Sequence, residues 1–203
     1  MERSAAEKIE HAIGDCVASK NWKKVIDLGQ ALPIDKRVKF LWVWPRQQDL
    51  HRIRIGLNDL NISRVISIGC GTGLLEWLIT RATGVAVAGV EKDENWWRSK
   101  YATKTYIPMM FAEGLSNVID GQGQLRWHAM MFCYFNDGGA FREYVQEFGG
   151  SFVIIIGPAE GRGVHTDPLP FQPNFPAEQN WERVQSFKVG SENLNHLVIY
   201  QRQ

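Results

Sequence analysis

The stretch VISIGCGTGLLEW, residues 65–77, constrains this chain more than any other. Four β-forming residues, Val65 to Ile68, run into three glycines at alternate positions, Gly69, Gly71 and Gly73. Helical spacing follows at once, with Leu74, Leu75, Leu78 and Ile79 pointing inward. The joint opens a region of alternating strands and helices. VAVAGVE (85–91) and AMMFCYF (129–135) read as strands, as does a shorter TYIPMMF (105–111) whose Pro108 suits a sheet edge. SFVIIIG (151–157) is uniformly apolar, as a parallel strand covered on both faces should be. Helices are expected over 73–82, 93–101 and 137–148, the last carrying Phe141, Tyr144, Val145 and Phe148 in one stripe. Repeated strand–helix units make a parallel sheet with right-handed crossovers. WERVQSFKV and NHLVIYQR, joined by GSENL, read as a C-terminal hairpin. The expected fold is a doubly wound α/β domain with a seven-stranded, mostly parallel sheet and an antiparallel hairpin at its end.

Residues 1–60 read as a helical extension of the same domain, placed to cap a substrate. Ser4 with Glu7 fits a capping box ahead of Ile9, Ile13, Cys16 and Val17. Asn21 suits the cap of a second short helix, stopped by Gly29 and Pro33. VKFLWVWP (38–45) is an unbroken apolar run that periodicity assigns to neither helix nor strand. Leu50, Ile53, Leu57 and Leu60 mark another helix. The Pro/Gly-rich stretch 157–176 is too long for a simple connector and is a candidate functional loop.

With 203 residues, 44% hydrophobic and 22% charged, the chain has the size and balance of one globular domain. No apolar run approaches the roughly 20 residues that span a bilayer, and the N-terminus has no signal-peptide core. A cytosolic or nuclear protein with no membrane partner is expected. Cys16, Cys70 and Cys133 lack metal-ligand spacing and read as reduced, buried thiols, so no metal is expected. Residues 20–54 hold nine Lys/Arg against three Asp, although the whole chain carries only +1. These charges alternate with apolar residues, which favours a solvated helical surface over a nucleic-acid face.

Glycine-rich strand–helix turns bind nucleotide-like ligands, with anions held at the helix N-terminus. A dinucleotide turn wants G-x-G-x-x-G. Here the third glycine comes one residue early, and Leu74 stands where that pattern needs glycine. A leucine there crowds the close helix–strand approach, so a ligand without a pyrophosphate fits the turn better. Glu91 ends the second strand eighteen residues after Gly73, near the distance at which a carboxylate meets ribose hydroxyls. It would also repel a 2′-phosphate.

VISIGCGTGLLEW together with VAGVEKD resembles motif I and the post-strand-2 acid of class I S-adenosylmethionine-dependent methyltransferases, over about residues 60–203. The terminal hairpin matches that family's layout. The resemblance implies a Rossmann-like domain with S-adenosyl-L-methionine as cofactor. By position, Gly69, Cys70, Gly71 and Gly73 would meet its methionine part, and Glu91 its ribose. Lys92 or Asp93, and Ala112 or Glu113, fall where the family holds adenine, and Trp96 and Trp97 lie where an adenine pocket could be bordered.

Methyl transfer from a sulfonium needs acceptor and methyl in line, and a general base only where the acceptor must lose a proton. Candidates at the strand ends are Tyr134, Asn136, Asp137, Glu160, Arg162, His165 and Asp167. Tyr134 stands both as a cofactor contact and, with His165 and Asp167, as a catalytic candidate. Asn136, Asp137, Arg162 and Trp44 are the substrate candidates. His128, before the strand 129–135, is expected at the far end of the sheet. The family's nucleobase and glutamine N-methylases carry Asn/Asp-Pro-Pro-Tyr/Phe at the strand-4 end, whereas this chain reads Phe-Asn-Asp-Gly, which argues against that chemistry. The expectation is a methyltransferase for a small molecule, with RNA second. A non-catalytic S-adenosylmethionine binder, a sensor or partner subunit, is the reading from a different class.

Overall fold

The computed structural model describes residues 5–115, 127–161, 163–190 and 194–203. Four helices precede the sheet: α1 (Ala5–Ala18), α2 (Trp22–Ala31), α3 (Ile34–Arg37) and α4 (Gln47–Asp59). Strand β1 (Arg64–Ile68) then leads into α5 (Leu74–Thr83), followed by β2 (Ala86–Glu91) and α6 (Glu94–Trp97). Next come β3 (Met109–Phe111), β4 (Ala129–Cys133), α7 (Gly138–Glu147) and β5 (Phe152–Pro158). The hairpin β6 (Trp181–Val189) and β7 (Asn195–Arg202) closes the chain.

The seven strands order as β3-β2-β1-β4-β5-β7-β6. The first five are parallel, and β7 runs antiparallel between β5 and β6. Period-two alternation sorts their side chains onto two faces. Val65, Met131, Ile154 and Ile156 join the core beneath α1, α2, α4 and α5. Ile66, Ile68, Phe132, Val153 and Ile155 join the opposite core with Phe141, Tyr144 and Val145 of α7. The order reverses between β1 and β4, and a crevice opens at such a switch point, beyond the strands' carboxyl ends.

Several local expectations change. Helix α2 starts at its Asn21 cap, whose side chain accepts from the Lys24 N–H at 3.1 Å, but it runs through Gly29 to Ala31. Gly29 is there for a close approach: a Cβ on it would fall within the Trp44 ring. Trp44, expected at a substrate site, is 3% exposed and donates its indole N–H to the Ile26 carbonyl at 3.3 Å. It is a core residue. The run 38–45 is neither helix nor strand; it buries Val43 and Trp44 and leaves Trp42 61% exposed. Helix 93–101 contracts to the single turn α6, and strand 105–111 to the edge strand β3 directly after Pro108. Ser4, the expected start of the capping box on α1, lies outside the described residues.

Asp49, in the first turn of α4, is fully buried and fully bonded. Its carboxylate accepts from the Arg46 backbone N–H (2.9 Å), from two guanidinium nitrogens of Arg46 (3.0 Å each), and from the Gly190 N–H after β6 (2.9 Å). It ties the helical extension to the hairpin.

Candidate functional site

Two cavities open at the carboxyl ends of β1, β2 and β4, and Gly69 lines both. The first, about 220 Å³, lies toward α7 and is walled by Ile68, Val90, Glu91, Lys92, Glu113, Phe135, Asp137 and Tyr144, among others. The second, about 290 Å³, lies toward α5; its walls include the 38–42 segment, Cys70, Gly71, Thr72, Glu76, Trp97, Cys133 and Tyr134.

The turn between them has a clear stereochemical origin. Gly69, Gly71 and Gly73 all have positive φ, at 67°, 59° and 74°, a region that side chains resist. A Cβ on Gly71 would meet nothing within 4 Å, so this backbone faces open space. Gly73 differs. It caps α5, is buried, and lines neither cavity; a Cβ there would collide with the Ile107 side chain.

Glu91 ends β2 and closes onto the turn, its Oε1 accepting from the Gly71 N–H at 2.5 Å. Burial pushes its carboxyl up, while bonds from the Gly71 N–H, the Trp97 indole and the Lys92 N–H pull it back down. Lys92 and Glu113 line the first cavity as the strand ends predict. Their neighbours do other work: Asp93 caps α6 through the Trp96 N–H at 2.8 Å, and Ala112 is buried in the core. Trp96 is exposed, and Trp97 lines the second cavity.

Glu76 is the feature that spacing alone did not reveal. It sits in the first turn of α5, 1% exposed, and its Oε1 accepts from Ser67 Oγ at 2.7 Å. Its Oε2 has no hydrogen-bond partner among the described residues. Burial pushes this carboxyl up to about 7. The signal was present in LLEWLI, one carboxylate inside an otherwise apolar buried turn.

Tyr134 follows β4 with φ of 52°, unusual for a residue with a side chain. Its phenol donates to Asn195 Oδ1 at 2.7 Å, and its ring stacks on Trp42 with centroids 5.4 Å apart. Burial raises its pKa. Its hydroxyl is thus engaged by Asn195, and its ring forms part of the second cavity's wall. Trp42 and Phe40, not Trp44, are thus aromatics of the extension that reach the site. Burial also pushes the Cys70 and Cys133 thiols far up, which favours their neutral form.

The loop candidates are not brought together. His165 is exposed, Asp167 packs its carboxylate against Gly138 at the start of α7, and neither lines either cavity. No hydrogen bond joins them among the described residues, so the expected base–acid pair does not form. Asn136 is exposed and bridges to Asp167 through the backbone. Asp137 caps α7 through the Ala140 N–H at 2.9 Å while lining the first cavity. Glu160 is exposed and lines neither cavity, and Arg162 lies outside the described residues. His128 sits at the opposite end of the sheet, its Nδ1 accepting from the Ser63 N–H at 3.2 Å. Phe135 and Tyr144, both walls of the first cavity, were legible only as core aromatics.

No family model matches the sequence, and no curated protein matches it. Solved structures do. A glutamate-to-glutamine mutant of MtNAS aligns with 98% of this chain and 75% of its own, at TM-score 0.53 and 13% identity. The same mutant in complex with S-adenosylmethionine aligns with 96% and 75%, at TM-score 0.53 and 16% identity. This chain shares the Rossmann-like, doubly wound fold of that protein. The magnesium protoporphyrin IX methyltransferase ChlM from Synechocystis PCC 6803, with bound SAH, aligns with 77% of this chain and 83% of its own, at TM-score 0.46 and 13% identity. At such identities these likenesses are of architecture alone, and the alignment with MtNAS takes in the helical extension as well as the sheet.

Proposed function

We propose that this chain is an S-adenosyl-L-methionine-dependent methyltransferase acting on a small molecule. The observation that carries the reading is Glu91, held against the Gly71 N–H where two unlike cavities meet at Gly69. The first cavity offers what a nucleoside needs: a carboxylate for ribose hydroxyls and apolar walls in Ile68, Val90, Phe135 and Tyr144 for a base. The second offers Glu76, Lys39 and the open backbone of the glycine turn to a charged amino-acid end. Gly69, Cys70, Gly71, Glu91, Lys92 and Glu113 would hold this cofactor, and Tyr134 and Trp42 would face the acceptor.

When bound, the cofactor supplies a methyl group already activated on a sulfonium. What remains for the protein is orientation and the exclusion of water. The stacked Trp42–Tyr134 pair gives a flat, apolar wall beside the glycine turn. Within residues 20–54, Arg37 is buried and Arg46 is bonded to Asp49, so the basic surplus is smaller at the surface than in the sequence. That favours a small acceptor over RNA.

Calorimetric titration with S-adenosylhomocysteine tests the cofactor, and binding is expected. Transfer of labelled methyl to a low-molecular-weight extract, set beside transfer to total RNA, tests the acceptor. Label on RNA alone would overturn the small-molecule reading. Tight binding with no transfer to any substrate would point to the non-catalytic binder.

A further inference from the structure

Glu76 is among the walls of the second cavity, and its buried Oε2 has no hydrogen-bond partner among the described residues. Its neighbours in α5, Leu74, Leu75, Trp77 and Leu78, are buried and apolar. A buried carboxylate with one bare oxygen costs free energy unless a donor meets it. Ser67 satisfies Oε1 alone. The helix N-terminus favours negative charge at this position, but no N–H or cation among the described residues reaches Oε2. The missing partner is therefore a donor that enters the cavity from outside, and a cation pairs best with a carboxylate in so dry a place.

Resting on the cofactor reading above, we propose that Glu76 is the receptor for the α-ammonium group of the cofactor's amino-acid end. Lys39 lines the same cavity, so a zwitterion entering it meets both signs of charge. The first cavity holds three glutamates besides Glu91, namely Glu113, Glu143 and Glu147, but none of them is buried as Glu76 is. Among the described residues, only Glu76 combines a buried, unbonded carboxyl oxygen with a place in a cavity wall. The assignment also gives Ser67 a task, that of fixing the Glu76 rotamer so that the free oxygen faces the ligand.

The test uses the full chain, S-adenosylhomocysteine, and its desamino analogue, which lacks only the α-amino group. Wild-type protein should bind the desamino compound roughly 10- to 100-fold more weakly than S-adenosylhomocysteine, the range for losing a bond to a charged group. Glu76→Gln should lose S-adenosylhomocysteine affinity by a similar factor and bind the desamino compound about as wild type does. The retained binding shows that the variant is folded. Equal binding of both ligands by wild type overturns the assignment, as does an equal loss of both in Glu76→Gln. Wild-type protein that binds neither ligand overturns the cofactor reading and this assignment together, and so is distinct from a failure of Glu76 alone.

Discussion

Single atoms decide much of this molecule. Gly29 has no Cβ because the Trp44 ring occupies that space. Gly29→Ala should therefore lower the unfolding free energy by about 1–3 kcal/mol, the usual cost of overpacking, read from the urea midpoint at unchanged slope. Glu91→Ala removes the carboxylate at the joint of the cavities. It should weaken S-adenosylhomocysteine binding by about 1.5–3 kcal/mol; unchanged affinity by calorimetry would exclude Glu91 from the site. Glu76 makes the ligand-free protein sensitive to pH. Its carboxyl is raised from 4.5 to about 7 by burial. Below pH 4.5 the group is protonated in both states and imposes no penalty. Between 4.5 and about 7 the unfolded chain loses the proton first, so stability falls as pH rises, and above 7 the penalty is constant. Glu76→Gln should therefore be more stable than wild type at pH 8, on the order of 2–3 kcal/mol, and the gap should vanish near pH 4. Thermal unfolding of the two proteins across that range checks the sign. The place of Glu91, Lys92 and Glu113 in the first cavity's wall was legible in the sequence because strand ends fix where such residues fall. Glu76 was not, because the orphaning of one carboxyl oxygen is a property of the packed state.

At the scale of elements, the parallel strands were easy to read. An apolar run such as 153–156 of β5, covered on both sides, leaves little ambiguity. Local pattern ran out, or misled, where tertiary packing decides. The 38–45 run has no period because it alternates between filling a core with Val43 and Trp44 and presenting Trp42 outward. Helix α6 stops at Trp97, short of the expected end at 101, and its capping by Asp93 sustains only one turn. Helix α4 and the β6–β7 hairpin, far apart in sequence, are joined by Asp49. Asp49→Ala would leave the Arg46 guanidinium and the Gly190 N–H without that acceptor. A loss of about 3 kcal/mol is expected, the low end for breaking a buried pair because Arg46 is partly exposed. Chemical denaturation measures it, and a change under about 1 kcal/mol, the scale of a surface pair, would mean the tie is not needed.

For the molecule as a whole, the sheet separates two cores, and the proposed ligand would contact walls belonging to each. Hydrogen exchange should therefore slow on both sides when S-adenosylhomocysteine binds, in the 38–42 segment and around residues 135–140 at the start of α7. Protection confined to one side would mean that the cavities act separately. Gly69 lines both cavities, and a Cβ on it would lie only 3.2 Å from the Phe135 side chain. A ligand that filled both cavities would have to cross at Gly69, and a slender waist would suit that crossing. A sulfur linked to a ribose through one methylene has that waist. On the proposed reading, the missing Cβ of Gly69 leaves the room in which one ligand could reach from the first cavity into the second.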